Sequence, residues 1–177
     1  MTRSSDTTRR TFLSTTAAAL AASATAAIPA YAGALGADPI FAAIEVHKAA
    51  MAALIKVIDD SCPLETSLPL KQRQSFIGYG EATIVETDDP RWIKNTRDYQ
   101  PASDAETDAA IALVSIVPTT IAGATALLQY ATAADTDGHC WPDALQSDDG
   151  KKIRTWQFFL IEMLADVLPR LAGETAA

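Results

Sequence analysis

From Ala109 to Ala134 the chain carries no charged residue. A stretch of that length and polarity either crosses a membrane or is buried by the rest of a folded domain. Pro118 lies inside it, Ser115, Thr119 and Thr120 flank that proline, and Gln129 and many alanines dilute the remainder. The stretch therefore divides into two short helices joined by a tight turn, and no transmembrane span is expected in this part of the chain. Helices so poor in charge need partners to cover them, which points to a helical bundle.

The flanking segments agree. Asp38-Pro39 is a helix start, with Asp as N-cap and Pro at the first helical position, where its missing N–H is harmless. Apolar residues then recur at helical spacing at Ile40, Ile44, Met51, Leu54 and Ile58, widened by Phe41 and Ile55. A helix is expected from Asp38 to Asp60, ended by Cys62-Pro63. Residues Lys71 to Asp89 fit no single period; Gly78 and Gly80 weaken a helix, and Thr83-Ile84-Val85 leans towards strand. A helix with a frayed or bent end is favoured there, with one short β pairing near residues 76–86. Asp89-Pro90 repeats the Asp-Pro start and opens a short helix to Tyr99, stopped by Pro101.

Ser103-Asp104-Ala105-Glu106 reads as a capping box opening the next helix, to Ile116. Thr120 caps the one after it, and Asp137-Gly138 closes that helix. A polar loop follows from His139 to Gly150. The last helix is expected from Lys151 to Leu168, with Pro169 ending or kinking it. Its apolar residues Ile153, Trp156, Phe159, Leu160, Met163, Leu164 and Val167 cover more than half its circumference, the mark of a central helix. The expected fold is all-α, a small irregular bundle of about five helices.

The first residues read differently. Thr8-Arg9-Arg10-Thr11-Phe12-Leu13 follows the twin-arginine pattern, although Ser14 stands where lysine is common in such signals. Ser14 to Ala27 contains only Ala, Ser, Thr and one Leu, too weakly apolar for a comfortable span. Ala30-Tyr31-Ala32 offers a small-x-small site, and cleavage there leaves Gly33 first. Residues 1–32 are therefore expected to be a removable twin-arginine signal peptide, and residues 33–177 one helical domain. Arg9, Arg10, Phe12 and Leu13 carry recognition, and Ala30, Ala32 and Gly33 mark the cleavage site. The expected partners during export are the twin-arginine translocase and signal peptidase, and the expected destination is the periplasm. A general secretory signal is the rival reading, because charge, apolar stretch and cleavage site serve both routes.

The chain has 14 basic and 22 acidic residues, a net charge of −8. Removing Arg3, Arg9, Arg10 and Asp6 with the leader takes this to −10. Such a surface repels nucleic acid and anionic lipid. The tight basic cluster Lys151-Lys152 with Arg154 is too small to offset that repulsion, so no nucleic-acid partner is expected.

Motifs for catalysis are missing from the sequence. There is no G-x-S-x-G elbow, no H-E-x-x-H, no C-x-x-C and no phosphate-cradling glycine loop. Neither a catalytic residue nor a cofactor is assigned. The nitrogen and sulfur atoms available to a metal are those of His47, Cys62, His139 and Cys140; no metal site is expected, and His47, His139 and Cys140 stand as the candidates should one exist. Asp135-Thr136-Asp137-Gly138 imitates the opening of a calcium loop, but its Gly arrives two places early, and a helix C-cap is the better reading. Glu86, Asp88 and Asp89 read as a solvated acidic turn. Cys62 and Cys140 are a candidate disulfide if the chain reaches an oxidising compartment, with two unpaired thiols equally open. His47 lies inside the apolar stripe of the first helix and so faces the core. Its ordinary reading is a buried histidine satisfied by a carbonyl or hydroxyl, and its functional reading is a ligand or base at the floor of a cleft.

Asp38-Pro39-Ile40-Phe41-Ala42-Ala43-Ile44-Glu45 with His47, Glu86-Thr87-Asp88-Asp89-Pro90-Arg91-Trp92-Ile93, and Val117-Pro118-Thr119-Thr120-Ile121-Ala122-Gly123 resemble segments of a group of uncharacterised bacterial proteins. Many of those also open with a twin-arginine leader, and the Trp156–Leu168 segment is similar to theirs. The resemblance implies a helical mature domain and assigns no activity. The expected function is an exported, non-enzymatic binding or interaction module. The alternative is a small metal protein or enzyme with a site built from scattered residues.

Overall fold

Asp38 begins the described part of the fold. The computed structural model describes residues 38–78, 81–147, 150 and 153–174. The leader residues Arg9, Arg10, Phe12, Leu13, Ala30, Ala32 and Gly33, and the Lys151-Lys152 pair, lie outside them. The element order is α1 (Pro39–Ser67), a 3₁₀ turn (Leu70–Gln72), β1 (Phe76–Gly78), β2 (Glu81–Thr83), α2 (Pro90–Ser115), α3 (Ile121–Thr136), β3 (Leu145–Gln146), β4 (Ile153–Arg154) and α4 (Trp156–Glu174). The fold is all-α, as expected, with two small antiparallel strand pairs where one was expected. No helix among the described residues is long and apolar enough to cross a membrane.

Prolines account for most of the boundary differences from the sequence reading. Pro63 does not end α1, Pro101 does not end a helix at Tyr99, and Pro169 does not end α4. Proline in a helix frees the carbonyl four residues back. Those carbonyls belong to Asp59, Arg97 and Ala165, all exposed, as are the three prolines. Water can take the freed acceptor, so each helix continues. The consequence for α2 is large. The two expected helices, 90–99 and 103–116, are one, and the expected capping box is mid-helix. Glu106 is then not a first-turn acid but a buried side chain.

Residues 71–89 are the second correction. Among their described residues there is no α-helix: after the 3₁₀ turn ends at Gln72, β1 pairs with β2 in the register Phe76–Thr83, Ile77–Ala82 and Gly78–Glu81. This is the short pairing expected near 76–86. The acidic turn after it is not solvated throughout, because Asp88 is buried and accepts hydrogen bonds from Ser75 N (2.5 Å) and Ser75 Oγ (2.7 Å). Asp89 caps α2 through Arg91 N (2.8 Å), as its Asp-Pro sequence suggests.

The core joins the first turns of α1 to the other three helices. Ile40, Ala43 and Ile44 meet Ala110 and Leu113 of α2, Ala124, Leu127, Ala131 and Ala134 of α3, and Trp156, Leu160, Leu164, Val167 and Leu171 of α4. Beyond His47 the stripe on α1 is only half-covered: Met51 and Leu54 are half-buried, while Ile55 and Ile58, and Phe41 before them, are exposed. This second half runs antiparallel to α2, where Asn95 Nδ2 donates to the Val57 carbonyl at 2.7 Å. Cys62 is on that exposed half of α1 rather than past its end, and both Cys62 and Cys140 are exposed free thiols.

Asp38 ties two helix starts together. Oδ1 accepts from Ile40 N (3.1 Å), capping α1. Oδ2 accepts from Thr119 N (2.9 Å), Thr120 N (2.8 Å) and Thr120 Oγ1 (2.8 Å). Thr120 Oγ1 in turn accepts from Gly123 N at 2.9 Å and caps α3. Gly123 is required here: a Cβ would overlap the Asp38 carboxylate and lie 2.8 Å from Ile40 Cγ2. Burial pushes the Asp38 carboxyl up, but the hydrogen bonds from Ile40, Thr120 and Thr119 outweigh it and hold its pKa below 3.8. Its stabilisation is therefore present above that value and lost as pH falls through the folded pKa. Asp38→Ala is expected to lower unfolding free energy at neutral pH by roughly 2–4 kcal/mol, since it strands several N–H donors. In urea titrations the gap from wild type should shrink below pH 3.8.

Candidate functional site: a buried histidine–glutamate centre

Three helices and one loop bring four polar side chains together in the core. His47 comes from α1, Glu106 from α2, Tyr130 from α3 and His139 from the loop after α3. Each has a local reason for its place. His47 follows Ile40, Ala43 and Ile44 on the buried face of α1. Glu106 lies on the face that carries Ala109, Ala110 and Leu113. Tyr130 falls one turn after Leu127 on α3.

His139 is placed by a helix-ending turn. Gly138 takes φ +87°, a left-handed conformation that favours glycine. The His139 N–H reaches back to the Ala134 carbonyl (2.9 Å) and the Gly138 N–H to that of Asp135 (3.1 Å). This is the pattern that reverses the chain at a helix C-terminus. It agrees with the C-cap reading of Asp137-Gly138 and folds His139 back towards the core.

His47 Nε2 and His139 Nε2 each lie 3.1 Å from the same Glu106 oxygen, Oε1. His47 Nδ1 is 2.6 Å from the Tyr130 hydroxyl. His47 thus uses both nitrogens. His139 does not: its Nε2 is buried and, despite the short distance, makes no hydrogen bond of acceptable direction. An orphaned buried nitrogen costs about 1–3 kcal/mol. Burial, the largest effect, holds the His139 pKa below 6.5; His47 pushes the same way and Glu106 opposes it. Burial and the Glu106 and Glu45 charges push the Tyr130 phenol up to about 12.

Aromatic rings seal the centre. Trp141 stacks on His47 at 5.1 Å between centroids and meets His139 edge-on at 4.5 Å. Its other face stacks on Trp156 at 3.8 Å. Trp156 is anchored by donating from Nε1 to the Ala110 carbonyl, one turn beyond Glu106 on α2. His47 is 0% exposed and Glu106 6%; the His139 side chain, at 12%, is the rim. Two surface clefts, of 370 and 240 Å³, lie elsewhere, beside the first turns of α2, and share no residue with the centre.

Of the candidates read from the sequence, His47 and His139 meet here. Cys140 is exposed and contributes no atom to the cluster, and Cys62 lies on the exposed half of α1. Tyr130 and Trp141 belong to no motif, and Glu106 reads in the sequence as the acid of a capping box rather than as a buried side chain. The signal for Glu106 is its spacing from Ala109, Ala110 and Leu113, obscured because the helix break expected at Pro101 makes it a first-turn acid. No protein family, curated protein or solved structure gives a significant match to this chain.

Replacing Tyr130 by Phe should leave His47 Nδ1 buried without its partner. The expected cost is about 1–3 kcal/mol in denaturant titrations, with helical circular dichroism retained.

Proposed function

We propose that this chain is an exported, non-enzymatic binding protein whose binding element is the sealed histidine–glutamate centre. The observation that carries this reading is the burial of His47 and Glu106 behind Trp141. Catalysis on an organic substrate needs a pocket that admits it and reacting groups within reach. Polar groups sealed this closely can take between them nothing larger than a ligand of atomic size. Its residues are scattered over the sequence, as the alternative of a small metal protein or enzyme required, but turnover would need a path past the tryptophan. Binding of so small a ligand needs only the rim at His139 to yield.

Export rests on the leader: the Arg9-Arg10 pair, the weakly apolar run after it and the Ala30-Tyr31-Ala32 site. The twin-arginine translocase and signal peptidase are the partners it implies, and the periplasm the destination. A route that carries folded proteins suits a ligand that must be enclosed during folding.

Two measurements test the two halves. Replacing Arg9 and Arg10 by Lys keeps the charge and removes the guanidinium pair; uncleaved precursor should accumulate. Normal processing of the double-Lys chain would mean the general secretory route instead. For binding, native mass spectrometry of the exported protein should give a mass above that of the denatured protein. Equal masses would contradict a binding role for the centre.

A further inference from the structure

The geometry points to a divalent transition-metal site, zinc by its donor set, formed by His47 Nε2, Glu106 Oε1 and His139 Nε2. The inference rests on the reading of the centre as a binding element and names what it binds. Potential ligand atoms of the three residues all lie within 4.8 Å of one another. Tetrahedral zinc with bonds of about 2.1 Å sets its donors about 3.4 Å apart. Both histidine nitrogens are 3.1 Å from the Glu106 oxygen, so these two spacings need to widen by only about 0.3 Å.

Three further features fit a metal better than a hydrogen-bonded triad alone. First, His139 Nε2 is buried beside Oε1 without a hydrogen bond. A metal ion takes up the lone pair that the carboxylate cannot use. Second, Tyr130 stands 2.6 Å from the far nitrogen of His47. Metal-ligating histidines characteristically donate that second N–H to an oxygen, which fixes the tautomer and frees Nε2 for the ion. Tyr130 is thus a positioning residue. Third, stacked Trp141 and Trp156 supply the dry shell that strengthens charge–ligand attraction.

The donor set selects among ions. Two imidazoles and one carboxylate suit zinc and its borderline neighbours, whereas calcium takes 6–8 oxygen donors and magnesium a near-octahedral oxygen shell. Three protein ligands leave a fourth position for water, and the His139 rim is the side from which one can enter. Because His139 comes from a loop and the other ligands from helices, the ion would pin that loop, and Trp141 with it, to the bundle.

The test uses the full chain, stripped of metal with chelator in denaturant and refolded with excess Zn²⁺ or Co²⁺. After desalting, metal analysis should give one equivalent, and the cobalt form should show the intense visible bands of a tetrahedral site. His139→Gln, the substitution nearest the surface, should retain helical circular dichroism and bind at least about a hundredfold more weakly, and Glu106→Gln should do likewise. Tyr130→Phe should weaken binding by about tenfold. Wild-type chain that refolds yet retains no stoichiometric metal would overturn the site, as would a His139→Gln chain that binds as tightly as wild type. Should His139→Gln fail to fold, the cobalt spectrum of wild type decides: octahedral, oxygen-type bands refute the assignment. A metal-free protein that still carries another small ligand by native mass spectrometry refutes the metal and leaves the binding reading in place.

Discussion

The buried carboxylate of Asp38 is the interaction on which the arrangement depends. One side chain caps α1 through Ile40 and holds the Thr119–Thr120 turn that starts α3. Two helix N-termini are thereby fixed to one point, and each is a favourable place for negative charge. The rest of the site inherits that geometry. His47 is set by its phase along α1 and Tyr130 by its phase along α3, so a common origin for both helices brings imidazole and phenol within hydrogen-bond reach. Gly123 lets the origin exist, because any side chain there would occupy the space of the carboxylate.

The other half of the centre depends on α2 and on one glycine. An unbroken α2 carries Glu106 alongside His47, and the left-handed turn at Gly138 returns His139 to the same oxygen. Trp141 then closes the site by stacking between His47 and Trp156. Polar and apolar packing are coupled here: the tryptophan that completes the core also excludes water from the imidazoles. In such surroundings a satisfied polar network is strongly held and an unsatisfied nitrogen is costly. The orphaned His139 Nε2 is therefore the most informative atom in the molecule.

Much of the fold was legible locally. The Asp-Pro starts at 38–39 and 89–90, the Thr120 cap, the Gly138 stop and the helical nature of the charge-poor stretch all follow from short-range chemistry. So did the burial of His47, from its place in a stripe of period 3.6. The prolines misled, because whether proline ends a helix depends on whether water can reach the freed carbonyl. That is a question about the surface, and the chain's own order does not answer it.

What the sequence by itself determined was the phase of each segment: which residues share a face, where most helices begin, and that His47 points inward. What only the tertiary structure decided was the meeting of residues 47, 106, 130 and 139. Helical phase is set by neighbours three and four positions apart, within reach of local reasoning. The centre is set by how four separate segments dock, through the Asp38 carboxylate, the tryptophan stack and the continuity of α2 past Pro101. None of these has a signature within one turn of helix, because each joins atoms that folding alone brings together.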